Sequence, residues 1–194
     1  MKSKTLFLIL FFQFFISCSS YEKYKNNLDF YNDPDLFHRS MQKLTDIIVY
    51  DIFSPPVASR VYLYPSIAAY ELIAKEMPLK YKSLVGQVKG LTKIPDPEKD
   101  FRNYNLNLTI LYAFNKVGRA LIFSDELMDK FEKWLTNKLI SIGVPKKIKI
   151  ASDRYADKVS KHILEWAKDD LYNQTRTYPK YTILEEEVFW KPTP

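Results

Sequence analysis

Glycine, histidine and cysteine are nearly missing from this chain, which holds four, two and one of them in 194 residues. Each scarcity excludes something. Four scattered glycines cannot build a phosphate-cradling loop of backbone amides, and they argue against a turn-rich β architecture. A lone cysteine permits no internal disulfide, so stability has to come from packing. No serine sits in a G-x-S-x-G elbow, and no other serine carries a nucleophile motif. The longest apolar run, Leu6 to Ile16, is broken by Gln13 and falls well short of the roughly 20 residues needed to cross a bilayer.

That short run is nevertheless informative. Lys2 and Lys4 precede it and Ile16-Ser17-Cys18-Ser19-Ser20 follows. A basic start, a short greasy core and small residues around a cysteine form a secretion signal of the bacterial lipoprotein type. The expectation is that residues 1–17 are a signal peptide and that Cys18 is the lipid attachment site and new N-terminus. The protein is then lipid-anchored in the bacterial cell envelope, periplasmic or on the outer membrane, with the membrane as its first partner. The net charge of +6 drops to +4 without Lys2 and Lys4, a mild excess suited to anionic headgroups. No nucleic acid partner is expected. Apart from Lys146-Lys147-Ile148-Lys149 the lysines are dispersed, and no nucleic-acid motif is present.

Residues 18–34 are polar and aperiodic and read as a tether. Residues 35–194 read as one all-α portion of about five helices with an irregular C-terminal tail. Phe37, Met41, Leu44, Ile48 and Ile52 lie on one stripe of a first helix that should stop near Phe53. Ser54 can cap a second helix opened by Pro55-Pro56, with Val61, Tyr64, Ala68 and Leu72 on its buried face, ending near Met77-Pro78. A long connection over 79–103 leads to a well-buried third helix from Tyr104 to Ile122. Ser124, Asp125 and Glu126 open a fourth, which Gly143 and Pro145 end. A fifth, about Lys147 to Tyr172, places Tyr155, Val159, Ile163 and Trp166 on one side. The aromatic stretch Asn173 to Pro194 is non-helical and reads as a segment lacking its packing partner.

Candidate chemistry is sparse. Asp35 with His38, and His162 with Glu165, each place a carboxylate and an imidazole one turn apart, as metal-binding bundles do. The order of residues and the missing inward glutamates fit such a site poorly, so ordinary boundary residues are the simpler assignment and no metal is expected. Asp46, Asp51 and Glu71 are candidate paired carboxylates, with caps and salt bridges to Arg39 or Arg60 as the plainer role. The segment Thr175-Arg176-Thr177-Tyr178-Pro179-Lys180-Tyr181 combines cations and hydroxyls suited to an anion, but without a histidine beside it.

Several blocks in order carry a family resemblance. They are Leu44-Thr45-Asp46, Tyr50 through Arg60 (YDIFSPPVASR), Tyr81-Lys82-Ser83-Leu84, Leu111-Tyr112-Ala113-Phe114, Gly118 through Ser124 (GRALIFS), Asn173 through Thr182 (NQTRTYPKYT) and Trp190 through Pro194 (WKPTP). Together they resemble the N-terminal half of lipoproteins in the vanadium-dependent haloperoxidase and type 2 phosphatidic acid phosphatase superfamily. The resemblance implies a haloperoxidase-like helical bundle whose amino-terminal helices wrap the catalytic ones. It also implies that the chemistry, in the form of a lysine and arginine motif, a P-S-G-H motif and a final arginine and histidine motif, lies in the other half. Here Pro65-Ser66 continues as Ile67-Ala68, and neither His38 nor His162 has a matching context. No catalytic residue and no cofactor are expected in this chain, although relatives hold vanadate. A separate C-terminal catalytic half is the implied partner.

Overall fold

The structure is a computed structural model, and it describes residues 34–176, 179 and 182–191. Residues 1–33 lie outside the described residues, and with them the signal peptide, Cys18 and the tether up to residue 33. The described residues contain five long helices and no strand: α1 (Asp35–Tyr50), α2 (Pro55–Glu76), α3 (Leu106–Arg119), α4 (Asp125–Ser141) and α5 (Lys146–Asp169). A short α6 (Tyr172–Arg176) follows.

The apolar stripes seen in the sequence become the core. Val61, Tyr64, Ala68 and Leu72 of α2 are fully buried, as are Val159 and Ile163 of α5. Burying each such aliphatic side chain is worth about 1.5–3 kcal/mol. α3 is the central helix. Ser160 on α5 donates to the carbonyl of Ala113 and the Asn105 N–H donates to Ser152 Oγ, so α3 and α5 run side by side in the same direction. Tyr64 with Asp170, and Lys75 with Tyr155, set α2 antiparallel to α5. Asn105 also caps α3, its side-chain oxygen accepting from the Leu108 N–H at 2.9 Å.

Gly118 on α3 faces Leu44 of α1 and Pro65 of α2. A Cβ there would lie 3.2 Å from both methyl carbons of Leu44 and 3.7 Å from Pro65 Cγ. The absent side chain lets Leu44 seat directly on the α3 backbone.

Helix ends show how glycine scarcity is accommodated. α4 closes with a Schellman turn, Val144 N–H to Leu139 carbonyl and Gly143 N–H to Ile140 carbonyl, and Gly143 takes the left-handed position at φ 82°. α1 makes the same turn, Phe53 N–H to Ile48 carbonyl and Ile52 N–H to Val49 carbonyl, with isoleucine at φ 54°. α5 places Leu171 there, at φ 58°. The first helix therefore ends at Tyr50 rather than Phe53, and Ile52 leaves the expected buried stripe to stand 88% exposed. The fifth helix likewise ends at Asp169 rather than Tyr172. The tail begins with the helical turn α6, where the sequence suggested no helix.

The connection between α2 and α3 is clasped along its length. Glu71, 2% exposed, accepts from Ser83 Oγ and from the Leu84 N–H, both at 2.7 Å. Trp166 Nε1 donates to the Lys89 carbonyl, Lys75 Nζ donates to the Pro95 carbonyl, and Leu91 and Ile94 are buried.

A β-branched residue in the left-handed region costs roughly 1–2 kcal/mol. Ile52→Gly is expected to raise the unfolding free energy by about 1 kcal/mol after glycine's own entropic cost is subtracted. Urea denaturation checks this, and an unchanged midpoint would show that Ile52 is not strained.

Candidate functional site

The residues singled out in the sequence do not converge. His38 is exposed on α1, and the neighbouring Asp35 pairs with Arg39 at 2.5 Å. His162 Nε2 lies 3.0 Å from the Thr92 carbonyl and ties α5 to the connection, while Glu165 pairs with Lys168. No group of three or more His, Cys, Asp or Glu side chains among the described residues is placed to hold a metal ion.

The three candidate carboxylates have separate structural roles. Asp46 accepts from Gln42 Nε2. Asp51 accepts from the N–H groups of Phe123 and Ser124 and from Ser124 Oγ, so it, and not the Ser124 side chain, completes the start of α4. Glu71 holds the connection. Arg60 pairs with none of them; its guanidinium donates to the Asp170 carboxylate, and its plane lies 5.5 Å from the Tyr64 ring centroid and 5.6 Å from that of Tyr172. In the tail segment, Thr177, Tyr178, Lys180 and Tyr181 lie outside the described residues, as do the side chains of Thr175 and Arg176.

The most site-like feature is a cleft of about 600 Å³ between α3, α4 and α5. Its charges are ordered by two cations of α3. Lys116 Nζ meets Asp157 at 2.7 Å and Asp153 at 2.9 Å, both on α5. Burial opposes its charge, but the two carboxylates outweigh that and hold its pKa above the usual lysine value. Arg119 fans out to α4, where it binds Asp129, Glu132 at 3.0 Å and Asp125 at 3.5 Å. Burial lifts the Glu132 carboxyl above the usual glutamate range, and Arg119 pulls it part of the way back. A second hollow of about 300 Å³, on the side of α4 facing α1 and α2, is apolar and lined by Phe37, Ile73, Leu108 and Leu139 among others.

A tetrahedral oxyanion carrying several charges needs converging cationic donors that are free to replace its water. Four half-buried cations are already matched by carboxylates: Arg60 by Asp170, Lys75 by Asp96, Lys116 by two acids and Arg119 by three. None of these four is free to hold vanadate or phosphate. The cleft went unnoticed in the sequence because its members come from three helices. The only local signal is Asp153 with Asp157 at i, i+4, facing Lys116.

A bacterial vanadium-dependent iodoperoxidase of known structure is 38% identical over 83% of this chain, with a TM-score of 0.70. The chain spans 38% of the length of that protein. No family model and no curated protein sequence matches. The described helices therefore have a haloperoxidase-like fold, as the sequence blocks implied.

A carboxyl whose folded pKa lies above its unfolded value penalises folding when ionised, and the penalty fades as pH falls through the folded pKa. Glu132 is expected to titrate above the usual glutamate range, and Arg119→Met to move that inflection higher still by removing the opposing charge. Carboxyl NMR titration reads both, and an inflection at or below the usual value would overturn the assignment.

Proposed function

We propose that this chain, which shares its helical fold with a bacterial vanadium-dependent iodoperoxidase, supplies the outer helical wall of a haloperoxidase-like unit. The oxyanion-binding residues of that unit come from polypeptide other than these 194 residues. The observation that carries the reading is the partial overlap: high identity over most of this chain, but over only 38% of the relative. The pairing of Arg60, Lys75, Lys116 and Arg119 supports it, because none of the four is left to hold an oxyanion. So do Val49, Tyr50, Ile52, Phe123 and Leu171, exposed apolar side chains around the end of the bundle where α1 and α5 finish and α4 begins. Such exposure suits a surface that packs against further protein.

The wall is held at a membrane. No described helix is long and apolar enough to cross one, and the attachment is assigned to acylated Cys18. Haloperoxidase chemistry, with vanadate as cofactor, belongs to the completed unit rather than to this chain.

With vanadate, hydrogen peroxide and iodide, the full chain alone is expected to form no triiodide above background. Adding a polypeptide that carries a P-S-G-H motif, encoded next to it, is expected to restore turnover. Iodide oxidation by the chain alone would overturn the proposal. Separately, Cys18→Ser is expected to move the protein from the membrane to the soluble fraction and to abolish the mass gain of acylation. Continued sedimentation with membranes would remove the anchor.

A further inference from the structure

The cleft between α3, α4 and α5 contains one group that the fold does not use. Asn115 on α3 lines it and is 2% exposed, yet neither Oδ1 nor Nδ2 has a hydrogen-bond partner among the described residues. A carboxamide offers two donors and an acceptor. Leaving such buried groups unpaired costs roughly 1–3 kcal/mol, and a leucine of similar volume would avoid that cost. A persistent local cost of this kind is a mark of a group kept for a ligand.

The surrounding charge narrows the ligand. Lys116 and Arg119 are neutralised by their acids. Lys146 and Lys149, at the start of α5 and on the same cleft, make no ion pair among the described residues. A simple anion would answer the two lysines and could accept from Nδ2, but it has no hydrogen to give Oδ1. A peptide unit presents an N–H and a carbonyl side by side and satisfies both atoms.

We propose that this cleft binds an acidic peptide segment, with one peptide unit paired to the Asn115 carboxamide and an aspartate or glutamate side chain held between Lys146 and Lys149. The volume suits a few residues rather than a folded element. Tyr112, on the same wall, offers a further donor: burial first, then Asp153 and Glu132, keep its hydroxyl protonated. The proposal stands apart from the scaffold role, since it uses no residue of the exposed apolar end.

The test uses the full chain, isotope-labelled on nitrogen, with N-acetyl-Asp-Glu-Asp-amide as the probe. Its neutral counterpart N-acetyl-Asn-Gln-Asn-amide and succinate serve as controls. The acidic peptide is expected to shift the Asn115 side-chain amide signal saturably, and both controls to bind at least about tenfold more weakly. Lys146→Gln with Lys149→Gln, changes outside the buried core, should weaken the acidic peptide by about tenfold or more. Asn115→Leu should abolish binding without lowering Tm. Failure of the Asn115 signal to move, equal binding of succinate, or indifference to the lysine changes would each overturn the proposal. So would a lower Tm for Asn115→Leu, because it would show the carboxamide already satisfied in the free protein.

Discussion

The arrangement of this bundle depends on the backbone approach at Gly118. A helix interior is an unfavourable place for glycine, by about 1 kcal/mol relative to alanine. Here the missing side chain leaves room for Leu44 of α1 and Pro65 of α2 against the same turn of α3. With α1 and α2 seated there, α3 is enclosed by α1, α2 and α5 at once, and Phe114, Val117 and Ala113 are fully buried. Phe37 can then meet Phe114 edge-on, with ring centroids 4.8 Å apart. A methyl at 118 would press on the Leu44 methyls, which would have to give by a few tenths of an ångström, and a larger side chain would press harder.

Charge does a different job from packing. α2, α3 and α5 share the main apolar core. α4 adds Met128 to that core and Leu135 and Leu139 to a smaller cluster, and is fastened by Asp51 at its first turn and by the Arg119 fan along its side. Two of the carboxylates that looked like chemistry in the sequence are therefore fasteners, Asp51 for α4 and Glu71 for the long connection, and Asp170 does the same for Arg60. Exposed ion pairs contribute little on their own. Those made by Lys116 and Arg119 are networks at half-buried positions, and their value is in fixing which helix faces which.

Much of the fold was legible in the sequence. The stripes Val61, Tyr64, Ala68, Leu72 and Tyr155, Val159, Ile163, Trp166 mark buried faces directly, because one face of a helix repeats every three to four residues. Boundaries were less legible. Ile52 continued the spacing of α1, and nothing local announces that an isoleucine will take a left-handed turn position usually given to glycine. The fifth helix, read as running to about Tyr172, stops at Asp169, and Leu171 beyond it takes a left-handed conformation of the same kind. The candidate site was hardly legible at all. Lys116 and Arg119 find their acids on two other helices, and an asparagine among apolar neighbours on α3 gives no sign that its carboxamide will be unpaired. The ordered blocks that resembled haloperoxidase relatives pointed to the fold correctly because they record many contacts together, which no single periodicity does.

The division of labour between core and fasteners also has an optical side. Trp166 is nearly buried, edge-on to Tyr64 at 5.5 Å, whereas Trp134 of α4 stacks on Phe131 at 5.4 Å and is partly open to water. Emission from the first indole therefore reports the clamp between α2 and α5, and emission from the second reports the environment of α4. With Trp190, 68% exposed in the C-terminal segment, replaced by phenylalanine, the two remaining indoles would give separate fluorescent markers for the α2–α5 contact and for α4.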